Sequence, residues 1–432
     1  MRMVDIIDKK KHGEALTDEE ISFFVHGYTD GSIPDYQAAA FAMAVCFGDM
    51  TTAETAALTM RMAESGDMLD LSAFGDLTVD KHSSGGVGDK TTLIVAPIAA
   101  AAGCVVAKMS GRGLGFTGGT IDKLESIHGF STQMSPNEFF DRAKEHGIVV
   151  AGQTGNMAPC DKKLYALRDV TATVDSMPLI ASSIMSKKIA AGSKNIVLDV
   201  KCGSGAFMHD IASSRRLAKE MVSIGKHCGR NTAAFVTDMS APLGRAVGNS
   251  LEVREAVNVL KGDMVPDLYA LCIALSGRMI SLVKNIDFEE GKFIACDMLA
   301  SGKAYDKLCE MVTSQGGNAD SLYQKRQELD CISHTVTADR DGCILQEDAL
   351  DIGKASVLLG AGRSVKEDSI DSLAGIYLHK KVGDMVKKGD KIFTLYSSSE
   401  EKINSAMPLV SKAVVISDEK VRLSNIILDY LS

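Results

Sequence analysis

Residues 81–92, KHSSGGVGDKTT, and residues 108–120, KMSGRGLGFTGGT, stand on either side of one apolar segment, and each begins with a lysine, Lys81 or Lys108. Glycine lets the backbone approach a ligand and adopt positive φ, and runs of free backbone N–H groups form concavities that suit phosphate oxygens. Ser83, Ser84, Ser110, Thr117 and Thr120 add hydroxyl donors, and the two lysines add charge. The pair of loops therefore reads as a phosphate cradle. Neither loop is a nucleotide fingerprint. GGVGDKTT has Asp89 where a Walker A end needs glycine before its lysine, and GRGLG is not G-x-G-x-x-G. A small anion is favoured over a dinucleotide.

Outward from these loops the pattern is α/β. Short apolar segments (TLIVA or GCVVAK, IVVAG, NIVLDVKCG, TAAFVTDM) alternate with helical ones (PNEFFDRAKEHG, SSRRLAKEMVSIGKHCG), as parallel βαβ units require. A strand is expected at 77–80. Before it, Thr17 with Glu20 and Thr51 with Glu54 are capping boxes, and three short helices are expected in residues 1–65. Residues 161–193 hold a helical stretch without a strand, expected to pack on those helices. Residues 250–330 read as further helices of the α/β part, and from Cys331 the texture becomes β-rich and turn-rich. The expected fold class is α/β: a small discontinuous all-helical domain (1–65 and 161–193), a large α/β domain with a mixed, mainly parallel sheet (70–160 and 194–330), and a β-rich α+β C-terminal domain (331–432). The stretch VGDMVKKGDKIFTLY resembles the hammerhead of biotinyl and lipoyl carriers, but Ala406-Met407-Pro408 lacks the lysine such carriers modify, so a structural role is expected there.

At 432 residues the chain exceeds one ordinary core. Its 45% hydrophobic and 24% charged residues are globular composition, and a net charge of −9 argues against a nucleic-acid surface, so any anion site must be local. The 10 cysteines show no C-x-x-C pair or zinc spacing, and no secretory signal is recognised. Reduced thiols in a cytoplasmic protein are expected. The apolar run 93–107 is interrupted by Pro97 and is too short to span a bilayer, which takes about 20 residues; no membrane partner is expected.

The helical stretch 161–193 offers a second half to the site. Ser183 and Lys187 lie four apart, on one face of a helix. Arg168 has apolar neighbours Leu164, Ala166 and Leu167, so its head must emerge somewhere polar. A converging serine, lysine and arginine suit a planar ligand with carbonyl acceptors; a solvated basic face is the plainer reading of the same spacing.

The blocks KHSSGGVGDKTT, SGRGLGFTGGTIDKLES, YALRDVTATVDSMPLIASSIMSKK and KCGSGAFM resemble the thymidine and pyrimidine-nucleoside phosphorylases, over essentially the whole chain and most closely those of Gram-positive bacteria. The resemblance implies reversible phosphorolysis of uridine, thymidine and deoxyuridine to free base and pentose 1-phosphate, with restriction to 2′-deoxynucleosides as the narrower alternative. It implies a homodimer with the cleft between the helical and α/β domains. It also implies a phosphate site at Lys81, Ser83, Thr92, Lys108, Met109 (through its backbone), Ser110 and Thr120. The pyrimidine site would be Arg168, Ser183 and Lys187, lined by Tyr165 and Ile180. His82, Arg168 and Lys187 would assist the leaving base. No cofactor is implied for catalysis. Members with a structural potassium or other cation hold it near Gly88, residue 90, Leu243, Ala246 and Glu255, but residue 90 here is Lys90 rather than the threonine of that site. With nucleophile and leaving group on different domains, hinges are expected at 66–70, 154–160 and 191–195. Two other classes stay open: an anthranilate-type phosphoribosyltransferase, which needs acidic residues for magnesium pyrophosphate, and a non-catalytic nucleoside-binding protein.

Overall fold

The computed structural model describes all residues except 114, 117, 324–330, 364–367, 420 and 422, so Thr117, one of the expected hydroxyl donors, lies outside the described residues. Four helices open the chain: α1 (Met3–Lys11), α2 (Asp18–Asp30), α3 (Asp35–Gly48) and α4 (Thr52–Glu64). Thr17 and Thr51 each accept from the backbone N–H three residues on, while Glu20 and Glu54 reach back to the cap N–H, so both capping boxes form. The expected three helices become four because α1 starts at Arg2 without a side-chain cap and carries no start signal in its sequence.

The chain then enters β1 (Val79–Ser83), runs through the first glycine loop, and continues as α5 (Thr91–Ala101) to β2 (Val106–Ser110). Of the two alternatives for a strand here, GCVVAK supplies it, as β2, and TLIVA is helix. Ten of the eleven residues of α5 are buried, including Pro97, and a helix buried all round shows no 3.6-residue period to distinguish it from a buried strand. Parallel neighbours also need a crossover element, which α5 provides. After the second glycine loop come α6 (Thr120–Glu125), α7 (Pro136–His146) and β3 (Ile148–Gly152). Helices α8 (Pro159–Asp169) and α9 (Met177–Ala190) follow, and Cys160, Leu164 and Leu179 join the core of α1, α2 and α3. The strandless stretch thus packs on the N-terminal helices.

The chain returns through β4 (Asn195–Cys202), α10 (Ile211–His227), β5 (Asn231–Asp238), the short β6 (Ala246–Val247), α11 (Asn249–Leu260), α12 (Pro266–Lys284), α13 (Phe288–Ala300) and α14 (Lys303–Ser314). Strands β1, β4 and β5 are parallel in the order β1-β4-β5, β2 pairs parallel with β3, and a parallel bridge from Thr78 to Val105 links the two groups. Helix α12 is long and apolar enough to cross a membrane by composition, but it packs against α13, α5 and β4 in the core.

The C-terminal part comprises β7 (Ile332–Thr337), β8 (Gly342–Glu347), α15 (Ala349–Leu359), β9 (Gly375–Leu378), β10 (Met385–Val386), β11 (Lys391–Ser397), α16 (Glu400–Ala413), β12 (Val414–Ser417) and β13 (Ile427–Leu431). It is not closed on itself. Strand β6 of the large domain pairs antiparallel with β9, and β13 crosses back to pair antiparallel with β5 at the edge of the large sheet. That sheet is mixed for this reason.

Candidate active site

Strands β1, β2 and β4 end at one side of the sheet, where open α/β sheets hold ligands, and helices α8 and α9 face them across a cleft of about 680 Å³. Lys81, His82, Ser83, Thr92, Lys108, Met109, Ser110 and Thr120 line the cleft from the sheet side. Tyr165, Arg168, Ile180, Ser183 and Lys187 line it from the helical side. The two groups of residues singled out in the sequence thus share one cavity.

On the sheet side the lysines sit on a buried charge network. Lys81 Nζ donates to Thr91 Oγ1 at 2.5 Å and lies 3.4 Å from Asp199 Oδ2 and 3.7 Å from Asp89 Oδ1. Asp199 also pairs with Lys201 at 2.8 Å and accepts from Thr237 Oγ1 at 2.6 Å. Burial works against the charge on Asp89, but Lys81 and Lys201 hold its carboxyl well below the usual range. Lys108 Nζ donates to Asp80 Oδ1 at 2.9 Å and to the Lys81 carbonyl at 2.5 Å. The other oxygen of Asp80 accepts from Lys188 Nζ at 2.8 Å, and Lys188 also donates to the Met109 carbonyl at 3.1 Å. Asp80 therefore ties α9 of the helical side to β1 and β2. Burial lowers the Lys108 pKa to about 8, although Asp80 favours its charge. His82 is neutral: burial, then the ammonium groups of Lys188 and Lys108, push its pKa well below the ordinary imidazole value.

On the helical side, Arg168 is buried and largely committed to the backbone. Its Nε donates to the Thr173 carbonyl at 3.0 Å, and its two terminal nitrogens donate to Leu179 O at 3.0 Å and Val174 O at 2.7 Å. Lys187 Nζ donates to Asp161 Oδ2 at 2.5 Å and to Ser183 Oγ at 3.0 Å, which bears out the shared face of Ser183 and Lys187. Each cation keeps N–H groups beyond those used here. The second glycine loop is tied down from two directions: Asp122 accepts from Gly113 N at 2.6 Å and from Arg112 and Arg363 at 3.2 Å, the last from the C-terminal part.

Sequence reasoning passed over Asp80, Asp161, Lys188, Asp199 and Lys201, whose positions carry no period or motif. It also passed over Phe207, an exposed aromatic on the loop after β4 at the cleft edge. The signal for Lys188 was its place beside Lys187 in SKK, which puts two cations on adjacent faces of one helix.

The expected cation site has a different content. Lys90 is not one more group around an ion. Its ammonium sits where the others converge, donating to Leu243 O at 3.0 Å, to Ala246 O at 2.7 Å and to the Glu255 carboxylate. Gly88, at φ 72°, packs against the same wall, and a Cβ there would lie 2.6 Å from Leu243 O. The residues present do not fit a separate metal ion, because the acceptors that would hold it are taken.

A family model described as the α/β domain of the glycosyl transferase family matches residues 75–305, and that family's helical bundle domain matches residues 4–66. A model of the pyrimidine nucleoside phosphorylase C-terminal domain matches residues 343–417. Curated proteins named pyrimidine-nucleoside phosphorylase are similar over nearly the full chain. That of Bacillus subtilis is 53% identical over 407 residues, covering 93% of each chain, and that of Geobacillus stearothermophilus is 49% identical over 435 residues, covering 100% of each. The chain belongs to the pyrimidine-nucleoside phosphorylase family. Its fold is shared more widely: a crystal structure of anthranilate phosphoribosyltransferase from Thermus thermophilus aligns at TM-score 0.59 and 19% identity, covering 72% of this chain and 98% of that one. That likeness concerns fold alone.

Proposed function

We infer that the protein is an enzyme catalysing reversible phosphorolysis of pyrimidine nucleosides, converting uridine, thymidine or deoxyuridine and orthophosphate to free base and pentose 1-phosphate. The observation that carries the reading is a single cleft with two chemically distinct walls. One has glycine loops and the buried lysines Lys81 and Lys108, and the other has Arg168, Ser183 and Lys187 beside Tyr165 and Ile180. The names of the curated relatives support the same reading.

In this reading a phosphate oxygen attacks the anomeric carbon from the face opposite the base. The bond from that carbon to the pyrimidine nitrogen breaks, and its electron pair leaves with the base. Lys81, Lys108 and the donors at Ser83, Thr92, Ser110, Thr120 and the Met109 backbone hold phosphate in line; such positioning is worth about 7–11 kcal/mol in favourable cases. Arg168 and Lys187 stabilise the charge gathering on the base, with N–H groups already oriented by Thr173, Leu179, Asp161 and Ser183. His82, neutral in the cleft, acts as a hydrogen-bond donor to the base rather than as an imidazolium. No cofactor takes part.

We include a homodimer and a cytoplasmic location in the proposal. Tyr36, Ala40 and Phe47 form an exposed stripe on α3, with half-buried Met43 between them, and a second copy covering it is the simplest explanation of so much apolar surface. The ten cysteines are thiols, as a reducing compartment allows. Incubation with each nucleoside, with and without phosphate, tests the reaction: free base should appear only with phosphate. Binding without base release would leave a nucleoside-binding protein, and failure of uridine alone would restrict the enzyme to 2′-deoxynucleosides.

A further inference from the structure

We propose that the Lys90 ammonium group is a built-in replacement for a bound monovalent cation, so that this protein holds its phosphate loop in place without one. The acceptors around Nζ are two backbone carbonyls and a carboxylate: Leu243 O at 3.0 Å, Ala246 O at 2.7 Å and Glu255 Oε2. This all-oxygen set suits an alkali cation or an ammonium group equally, and an ammonium has three N–H groups to spend on it. The lysine side chain is fully buried, so no solvent competes for those acceptors.

The cage is built rather than incidental. Both Glu255 oxygens are fixed from outside, Oε1 accepting from Arg245 N at 2.7 Å and Oε2 from Ala246 N at 3.0 Å. Lys381, from the C-terminal part, donates to Gly244 O at 2.8 Å and to Pro242 O at 2.5 Å, holding the same backbone turn from its other side. Asp267 accepts from Gly244 N at 3.0 Å. Those contacts hold the carbonyls in place independently of Lys90.

The position of Lys90 in the chain gives the cage a purpose. It directly precedes Thr91, whose hydroxyl accepts from Lys81 at 2.5 Å and donates to Asp89 at 2.5 Å. Anchoring residue 90 to 243–246 and α11 therefore fixes the end of the first glycine loop and the start of α5. A free ion performing this task leaves and returns with its concentration, whereas a covalently attached one is always present. A second cation in the cage would meet the ammonium at close range and compete with it for the same three acceptors.

The test compares purified full-length protein, dialysed free of alkali cations, in choline, sodium, potassium and ammonium chlorides at equal ionic strength. The thermal midpoint is read alongside phosphorolysis, so the outcome does not depend on the functional reading above. The native protein should show midpoints within about 1 °C and turnover within about 2-fold in all four salts. A saturable rise in either with potassium would overturn the proposal. In Lys90→Thr the cage is opened without a charge to replace the ammonium; its midpoint should fall in choline chloride and recover saturably in potassium or ammonium chloride. A variant that fails to fold in choline but folds in potassium supports the proposal equally, and one that no small cation restores contradicts it.

Discussion

Arg168 separates a structural role from a catalytic one more sharply than any other residue of the cleft, and Arg168→Lys is the perturbation that does so. The guanidinium spans three carbonyls at 2.7–3.0 Å, on Thr173, Val174 and Leu179, and an ammonium on a shorter stem cannot reach all of them. Each buried acceptor left without a donor costs about 1–3 kcal/mol. With two of them orphaned the variant should lose about 2–6 kcal/mol, visible as a thermal midpoint lowered by about 2–7 °C. The remaining N–H groups of Arg168, if they meet the departing pyrimidine, contribute separately; loss of one such preorganised donor typically lowers kcat/KM by about 10²–10³-fold, or about 3–4 kcal/mol. Measuring kcat/KM for uridine at 20 °C, where circular dichroism shows the variant still folded, isolates the second effect from the first. A variant with the lowered midpoint but kcat/KM within about 3-fold of the parent would refute the catalytic role and leave Arg168 as a brace for residues 173–179.

The pH profile should report Lys108 and not His82. With Lys108 held to about 8, the ammonium loses its proton as pH rises through that value, so kcat/KM for phosphate, once corrected for the ionisation of phosphate itself, should fall above pH 8, with no enzyme ionisation near the ordinary imidazole value of about 6.5. Asp80→Asn removes the carboxylate that favours the charged form and should move the falling limb to lower pH; an unmoved limb would detach it from Lys108. Cleft closure is expected to bend the connections at 66–70, 154–160 and 191–195. There Asp67 N donates to Asn156 O at 3.0 Å and Leu69 N to Ala190 O at 2.8 Å. Phosphate plus uracil should slow hydrogen exchange in these segments, and unchanged exchange would mean a rigid cleft. A Cβ at Gly66 would lie 1.9 Å from Asn156 O, so Gly66→Ala must push these segments apart and should lower kcat while leaving the phosphate loops intact; unaltered kcat would remove 66–70 from the moving parts.

What could be read in advance followed from local chemistry. Capping boxes, glycine loops and the four-residue spacing of Ser183 and Lys187 are set by neighbours in sequence, and each formed as expected. The failures share a different cause. TLIVA, one of two alternatives for a strand, is helix because its surroundings bury every face, and what the Lys90 ammonium meets is visible only once residues 243–255 are folded around it. Asp80 and Lys188 are charges that pair with each other across 108 residues, and Asp199 pairs with Lys81 from farther still along the chain. Only the fold makes their pairing visible.

The antiparallel strand at the edge of the large sheet also sets an order of events during synthesis. Strand β5 leaves the ribosome with its outer edge bare, and its partner β13 follows about 190 residues later. At about 5–20 residues per second the edge waits roughly 10–40 s for its cover. Through that interval Phe235 lacks Tyr430, whose ring packs 5.0 Å from it in the finished protein. A released chain truncated before residue 427 should therefore be a better chaperone substrate and protease target than the released full-length chain.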